Sequence, residues 1–183
     1  MLAATVGLCA VLVLAGCGKQ VPGQASARDE MSPQANAGQS ATDAGLYDPC
    51  TLPDDAIVAL GADPATKNDN PFRVPRAGWK GCAWIAGWHG LAVFATDYPI
   101  SEFMANHTFR DFTDVDISGR KAMTFYQGVE NSPPDNCIVV FDTPRGVVQL
   151  RIDDLARDRD KGADELCAVA VSSTESLNSL FPQ

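Results

Sequence analysis

Cysteine is the residue type in this chain whose spacing carries the most chemistry. Six occur among 183 residues. Cys50, Cys82, Cys137 and Cys167 fall in the part of the sequence with the composition of a folded domain. An even set in an exported chain is normally a disulfide frame. Four cysteines allow three connectivities, and sequence alone does not choose among them. Pairing Cys50 with Cys82 and Cys137 with Cys167 is preferred, because each bond links neighbouring elements. Each also closes a loop of about 30 residues, for roughly 3–4 kcal/mol in the chain-entropy model. Zinc or redox chemistry at these positions would call for close pairs such as CxxC, which the sequence lacks. No metal and no cofactor is expected.

Other reactive side chains are sparse. His89 and His107 are the two histidines. They lack the spacing of a metal pair such as HExxH, and no Gly-x-Ser-x-Gly elbow occurs. Asp153, Asp154, Asp158, Asp160, Asp164 and Glu165 cluster locally. Asp158-Arg159-Asp160-Lys161-Gly162 interleaves cations, however, and misses the spacing of a calcium loop. The chain therefore reads as a non-enzyme with no catalytic residue to name. Trp79, Trp84 and Trp88 lie within ten positions. They read first as core with one packed lid; the alternative is that Trp79 or Trp88, with Phe72 on a Pro-rich loop, lines an apolar groove for lipid or a partner.

Cys17 has a different setting. Residues 1–16 carry no charge, and Leu2 to Leu14 is almost entirely apolar. The run is shorter than the about 20 residues that span a bilayer, and it has the small-residue end of a signal peptide. It closes on Leu14-Ala15-Gly16-Cys17, which resembles the lipobox of bacterial lipoproteins, where the cysteine becomes the lipidated first residue. No Lys or Arg precedes the run; a start further upstream would supply one. Cys9 would leave with the signal. At about 0.8 kcal/mol per buried methylene, two or three acyl chains on Cys17 would hold the protein on a membrane. The expected location is the outer face of the cell membrane, lipid-anchored and extracytoplasmic.

A formal net charge of -9 makes nucleic acid a poor partner and sets the domain against anionic headgroups. The 45% hydrophobic content is enough for a core. Residues 17–46 hold Gln, Ala, Ser, Gly and Pro with few charges, too little apolar surface to fold. They read as a disordered tether with a reach on the order of 30 Å. The division is signal peptide 1–16, tether 17–46 and globular domain 47–183.

The elements that must position these residues follow from local pattern. Thr51-Leu52-Pro53-Asp54-Asp55 reads as a capped helix start, ending at Gly61. Ala62 to Gly78 reads as a long polar connection. Gly81 to Ile85 and Trp88 to Thr96 form a hairpin. Tyr98 to Ala105 is a short helix. Phe112 to Ile117 alternates as a half-buried strand, then turns through Ser118-Gly119-Arg120 into Lys121 to Tyr126. Cys137 to Phe141 and Gly146 to Ile152 form a further hairpin, with Val147, Gln149 and Arg151 on its solvated face. A helix from about Asp164 to Leu180 follows an apolar stripe. The sum is an α+β domain, an antiparallel sheet with flanking N- and C-terminal helices.

Asp48-Pro49-Cys50, the helix ending Ala59-Leu60-Gly61, Cys82-Ala83-Trp84, Ser118-Gly119-Arg120-Lys121-Ala122, Cys137 before an apolar strand and Cys167 in the last helix form a pattern. It resembles the actinobacterial lipoproteins carrying domain of unknown function 3558 (DUF3558), across about Tyr47 to Pro182. That family has no assigned activity, so the resemblance supplies no catalytic residues. It implies export, a membrane tether and two intradomain disulfides. The strand order further resembles the fold shared by photosystem PsbP proteins and the Ran-binding protein Mog1. The expected function is non-enzymatic binding of a partner protein or hydrophobic ligand at the cell envelope. Two alternatives are an exported enzyme acting on cell-wall or lipid substrates, with His89 or His107 beside a carboxylate or hydroxyl, and an accessory structural subunit of an envelope complex.

Overall fold

The structure, a computed structural model, describes residues 45–156 and 162–183. The apolar run, Cys17, nearly all of the expected tether and residues 157–161 of the acidic cluster lie outside the described residues. Seven strands form one sheet: β1 (Asp63–Asn68), β2 (Trp79–Ala86), β3 (His89–Thr96), β4 (Phe109–Ile117), β5 (Arg120–Gln127), β6 (Asn136–Thr143) and β7 (Gly146–Asp154). Their order is β1-β2-β3-β7-β6-β5-β4, and every neighbouring pair is antiparallel. The hairpins β2–β3, β4–β5 and β6–β7 are local. The Ser118-Gly119 turn has both residues at positive φ (52° and 90°), the geometry that matches strand twist. One long-range seam joins them: β3 runs against β7 in unbroken register from His89↔Asp154 to Thr96↔Val147.

Residue parity divides the sheet into two faces. On the first, Cys82, Trp84, Val93, Val139 and Leu150 meet Leu166, Ala170 and Leu177 of helix α3 (Ala163–Leu177). Ile57 of α1 (Asp54–Ala59) joins the same core, which excludes water almost completely. Each such aliphatic side chain contributes about 1.5–3 kcal/mol by leaving water. On the second face, Phe125, Ile138, Val140 and Val147 pack with Phe103 of α2 (Ile100–Ala105). A six-residue helix is about 9 Å long and covers only part of that face.

The disulfides are Cys50–Cys82 and Cys137–Cys167. The first ties a 3-10 turn at Pro49–Thr51 to β2, and the second ties β6 to α3. Asp164 and Glu165 sit in the first turn of α3, where the exposed N–H groups favour negative charge.

Four local expectations change. The connection Ala62–Gly78 contains β1, an edge strand whose Asp-Pro-Ala-Thr-Lys-Asn sequence needs no apolar alternation. Its register shifts, and there Thr66 Oγ1 accepts the Ile85 N–H at 2.9 Å. Thr51 does not cap α1: its hydroxyl donates to the Asp48 carbonyl at 2.7 Å, and Pro53 precedes the helix. Leu46, placed in the expected tether, is buried, with Arg145 donating to the carbonyls of Gly45 and Leu46 at 3.2 and 3.0 Å. Val147 and Gln149, read as solvated, are 4% and 5% exposed, because the second face carries its own core.

Candidate ligand groove

The outward residues of β2 and β3 on the second face include Ala83, Gly90 and Ala92. Register sets Ala83 beside Ala92 and Ala92 beside Arg151. Small side chains there leave a groove of about 1390 Å³ over the sheet. Gly81 shapes one wall. A Cβ at that position would lie 2.6 Å from Phe94 Cδ1 and 3.0 Å from Pro71 Cγ. Without one, Phe94 and the Pro-rich loop approach β2 closely.

That wall is aromatic. The Phe72 and Phe94 ring centroids are 4.9 Å apart, and Phe72 meets Trp79 edge-on at 5.8 Å. Trp79 continues to Phe103 at 6.0 Å, anchoring the wall in the second core. The Arg76 guanidinium lies 4.9 Å from the Phe72 centroid and 5.8 Å from that of Trp79, within cation–π range. Opposite stands the loop after β5. There Arg110 Nη2 donates to the Ser132 carbonyl at 2.7 Å and Nη1 pairs with Asp111 at 2.7 Å. Ile85, Val129 and Leu155, all largely exposed, add apolar rim.

The floor is polar. Arg151 Nε and Nη2 fork onto Asp153 at 2.6–2.8 Å, and Nη1 donates to Gln127 Oε1. Asn136, 1% exposed, holds the β5 end beside β6: its Oδ1 accepts from Gln127 N–H at 2.8 Å and its Nδ2 donates to Gln127 O at 2.6 Å. Gln149 lies between Phe94 and Val140 in the register. Its Nε2 is buried and finds no hydrogen-bond acceptor.

Of the residues singled out from sequence, Phe72 and Trp79 line the groove. Trp88 does not. It sits in the β2–β3 turn, packs against the first core and accepts the Leu155 and Ala156 N–H groups on its carbonyl. A two-residue turn aims it independently of β2, so sequence proximity to Trp79 says nothing about its face. Trp84 is in the first core at 2% exposure. Cys17 lies outside the described residues. His89 is buried on the first face beside Trp88, and desolvation lowers its pKa from 6.5. His107 is exposed. Among the described residues, neither histidine hydrogen-bonds a carboxylate or hydroxyl, and no three His, Cys, Asp or Glu are grouped to hold a metal. Sequence reasoning missed Phe94, Gln149 and Arg151. The available signal was the polar alternation Gln149-x-Arg151-x-Asp153 on a strand whose neighbours are apolar.

No helix among the described residues is long and apolar enough to cross a membrane. No curated protein and no solved structure matches the chain. A family model described as "Protein of unknown function (DUF3558)" matches residues 12–178. That match covers most of the sequence, and the chain belongs to the DUF3558 family.

Proposed function

We propose that this domain is a binding module, held at the outer face of the membrane by a lipid on Cys17, which takes a ligand with an apolar body into its groove. The observation that carries the reading is the buried, unpartnered Gln149 amide under an aromatic-walled cavity. An unsatisfied donor of this kind costs about 1–3 kcal/mol. Trp84 Nε1 in the first core is equally without a partner, but Gln149 lines the groove, where a ligand oxygen would satisfy it. Exposed apolar side chains gathered at the rim support the same reading, since such groupings mark binding surfaces.

Native mass spectrometry of the protein released gently from its own envelope tests this. A bound apolar species is expected on the natural chain and not on Ala92→Trp, which fills the groove; bare protein in both would sink the reading. The anchor has a separate test. The mature chain should begin at Cys17 with a diacylglyceryl mass added, and Cys17→Ser should leave the membrane fraction.

A further inference from the structure

Charge around the groove is unevenly answered. Arg73, Arg76, Arg110 and Arg151 line it, as do Asp135, Asp153 and Asp154, on a chain of net charge -9. Each aspartate is already engaged. Asp153 holds Arg151, Asp135 accepts the Asn136 amide at 2.8 Å, and Asp154 also has a partner. Arg110 is paired with Asp111. Arg73 and Arg76, both exposed, form no ion pair among the described residues. Arg73 also sits at φ 63°, a left-handed conformation in which glycine or asparagine would be less strained.

We infer that the groove takes a single-chain amphiphile with an anionic head, the head held by Arg73, Arg76 and the Gln149 amide and the chain lying along the Ala83–Ala92 trough. This rests on the groove being a ligand site. Gln149 supplies a donor without an acceptor, and an anionic oxygen is the strongest acceptor for it. The two guanidiniums supply the countercharge, and Arg76 is fixed over Phe72 and Trp79. The trough is formed by small residues on two adjacent strands, about 4.8 Å apart, the width of one hydrocarbon chain. Ile85 and Leu155 extend it with exposed aliphatic surface. The net negative charge of the protein disfavours anions in general, so an anion selected here is selected by local geometry.

Isothermal titration of the full chain carrying Cys17→Ser, produced in an oxidising compartment, tests the head and the chain separately. The probes are dodecanoate, its neutral glycerol monoester and acetate, each below micelle-forming concentration. Dodecanoate is expected to bind at least ten-fold more tightly than the ester, with the preference shrinking as salt rises. Acetate is expected not to bind measurably. Arg73→Asn with Arg76→Gln should remove the preference for dodecanoate and leave ester binding in place. Equal affinity for dodecanoate and ester, or a preference untouched by the double substitution, would overturn the anionic head. Acetate binding as tight as dodecanoate would overturn the chain. Failure of both dodecyl probes to bind would overturn the ligand-site reading itself.

Discussion

Arg120 on β5 donates from Nε to Asn178 Oδ1 at 2.9 Å, joining two positions 58 residues apart. The same guanidinium reaches the Pro182 carbonyl at 3.2 Å and the Asp142 carbonyl at 3.3 Å, and lies 4.8 Å from the Phe141 centroid. Asn178 in turn donates to the Ile117 carbonyl at 3.4 Å. One planar side chain thus locks the β4–β5 turn, β6 and the chain after α3 together. Arg120→Ala should lower unfolding free energy by about 2–3 kcal/mol, since hydrogen bonds to charged groups contribute about 1.5–3 kcal/mol. Arg120→Lys should recover less than half, because an ammonium lacks the fork. Urea unfolding checks both; a lysine variant of natural stability would refute the geometric argument.

The Cys137–Cys167 bond spans 30 residues and joins the central sheet to α3. Its removal by Cys137→Ala with Cys167→Ala should destabilise the domain by about 3–4 kcal/mol. Equilibrium unfolding of the double variant gives the number. A loss below about 1 kcal/mol would mean that α3 docks by packing alone.

Gly146 begins β7 with φ 97°. A Cβ there would stand 2.5 Å from the Thr96 carbonyl oxygen and 2.6 Å from Leu46 Cδ2. Backbone cannot swing aside as a flexible side chain does. Gly146→Ala should therefore destabilise by more than about 1 kcal/mol through strain and clash together. Accelerated amide exchange at Tyr47, which donates to the Arg145 carbonyl at 3.1 Å, should accompany the loss.

Tyr47 has its pKa raised from 10.0 to about 12, chiefly by burial, with Asp48 adding and Arg145 opposing. The folded state therefore binds its phenolic proton more tightly than the unfolded state. The linked stability is fully present below pH 10 and is lost as pH rises toward 12, by about 2–3 kcal/mol in total. Tyr47→Phe should flatten that alkaline decline. Unfolding curves at pH 9, 10 and 11 for both proteins decide the matter; parallel declines would exclude Tyr47 as the group.

Gln149→Leu removes a buried donor that has no acceptor, so the domain should become more stable by about 1 kcal/mol. Dodecanoate affinity should fall in the same variant. A stability gain with a binding loss is the signature of a polar group retained for a ligand. A variant that loses stability would instead place the amide in the structural core.

The elements with strong local signals were legible. The Cys137–Phe141 and Gly146–Ile152 strands, the amphipathic last helix and the Ser118-Gly119 turn each carry their own pattern, and the structure has them at those places. β1 was not legible, because an edge strand with a shifted register needs neither apolar alternation nor regular pairing. The groove was half legible. Phe72 and Trp79 could be named from a Pro-rich loop beside a strand. Trp88 could not be placed, because a turn residue takes its direction from the turn.

The sequence by itself determined the covalent and compositional frame: four domain cysteines at spacings that favour local pairs, an acidic surface, and apolar periods that demand a sheet under helices. Only the tertiary structure decided that Gln149 is buried and that Arg151 stands beside Ala92. The physical reason is the seam between β3 and β7, whose strands are separated by four intervening elements. Nothing in a local window sets that register, yet it assembles the groove by laying small residues of one hairpin against polar residues of another.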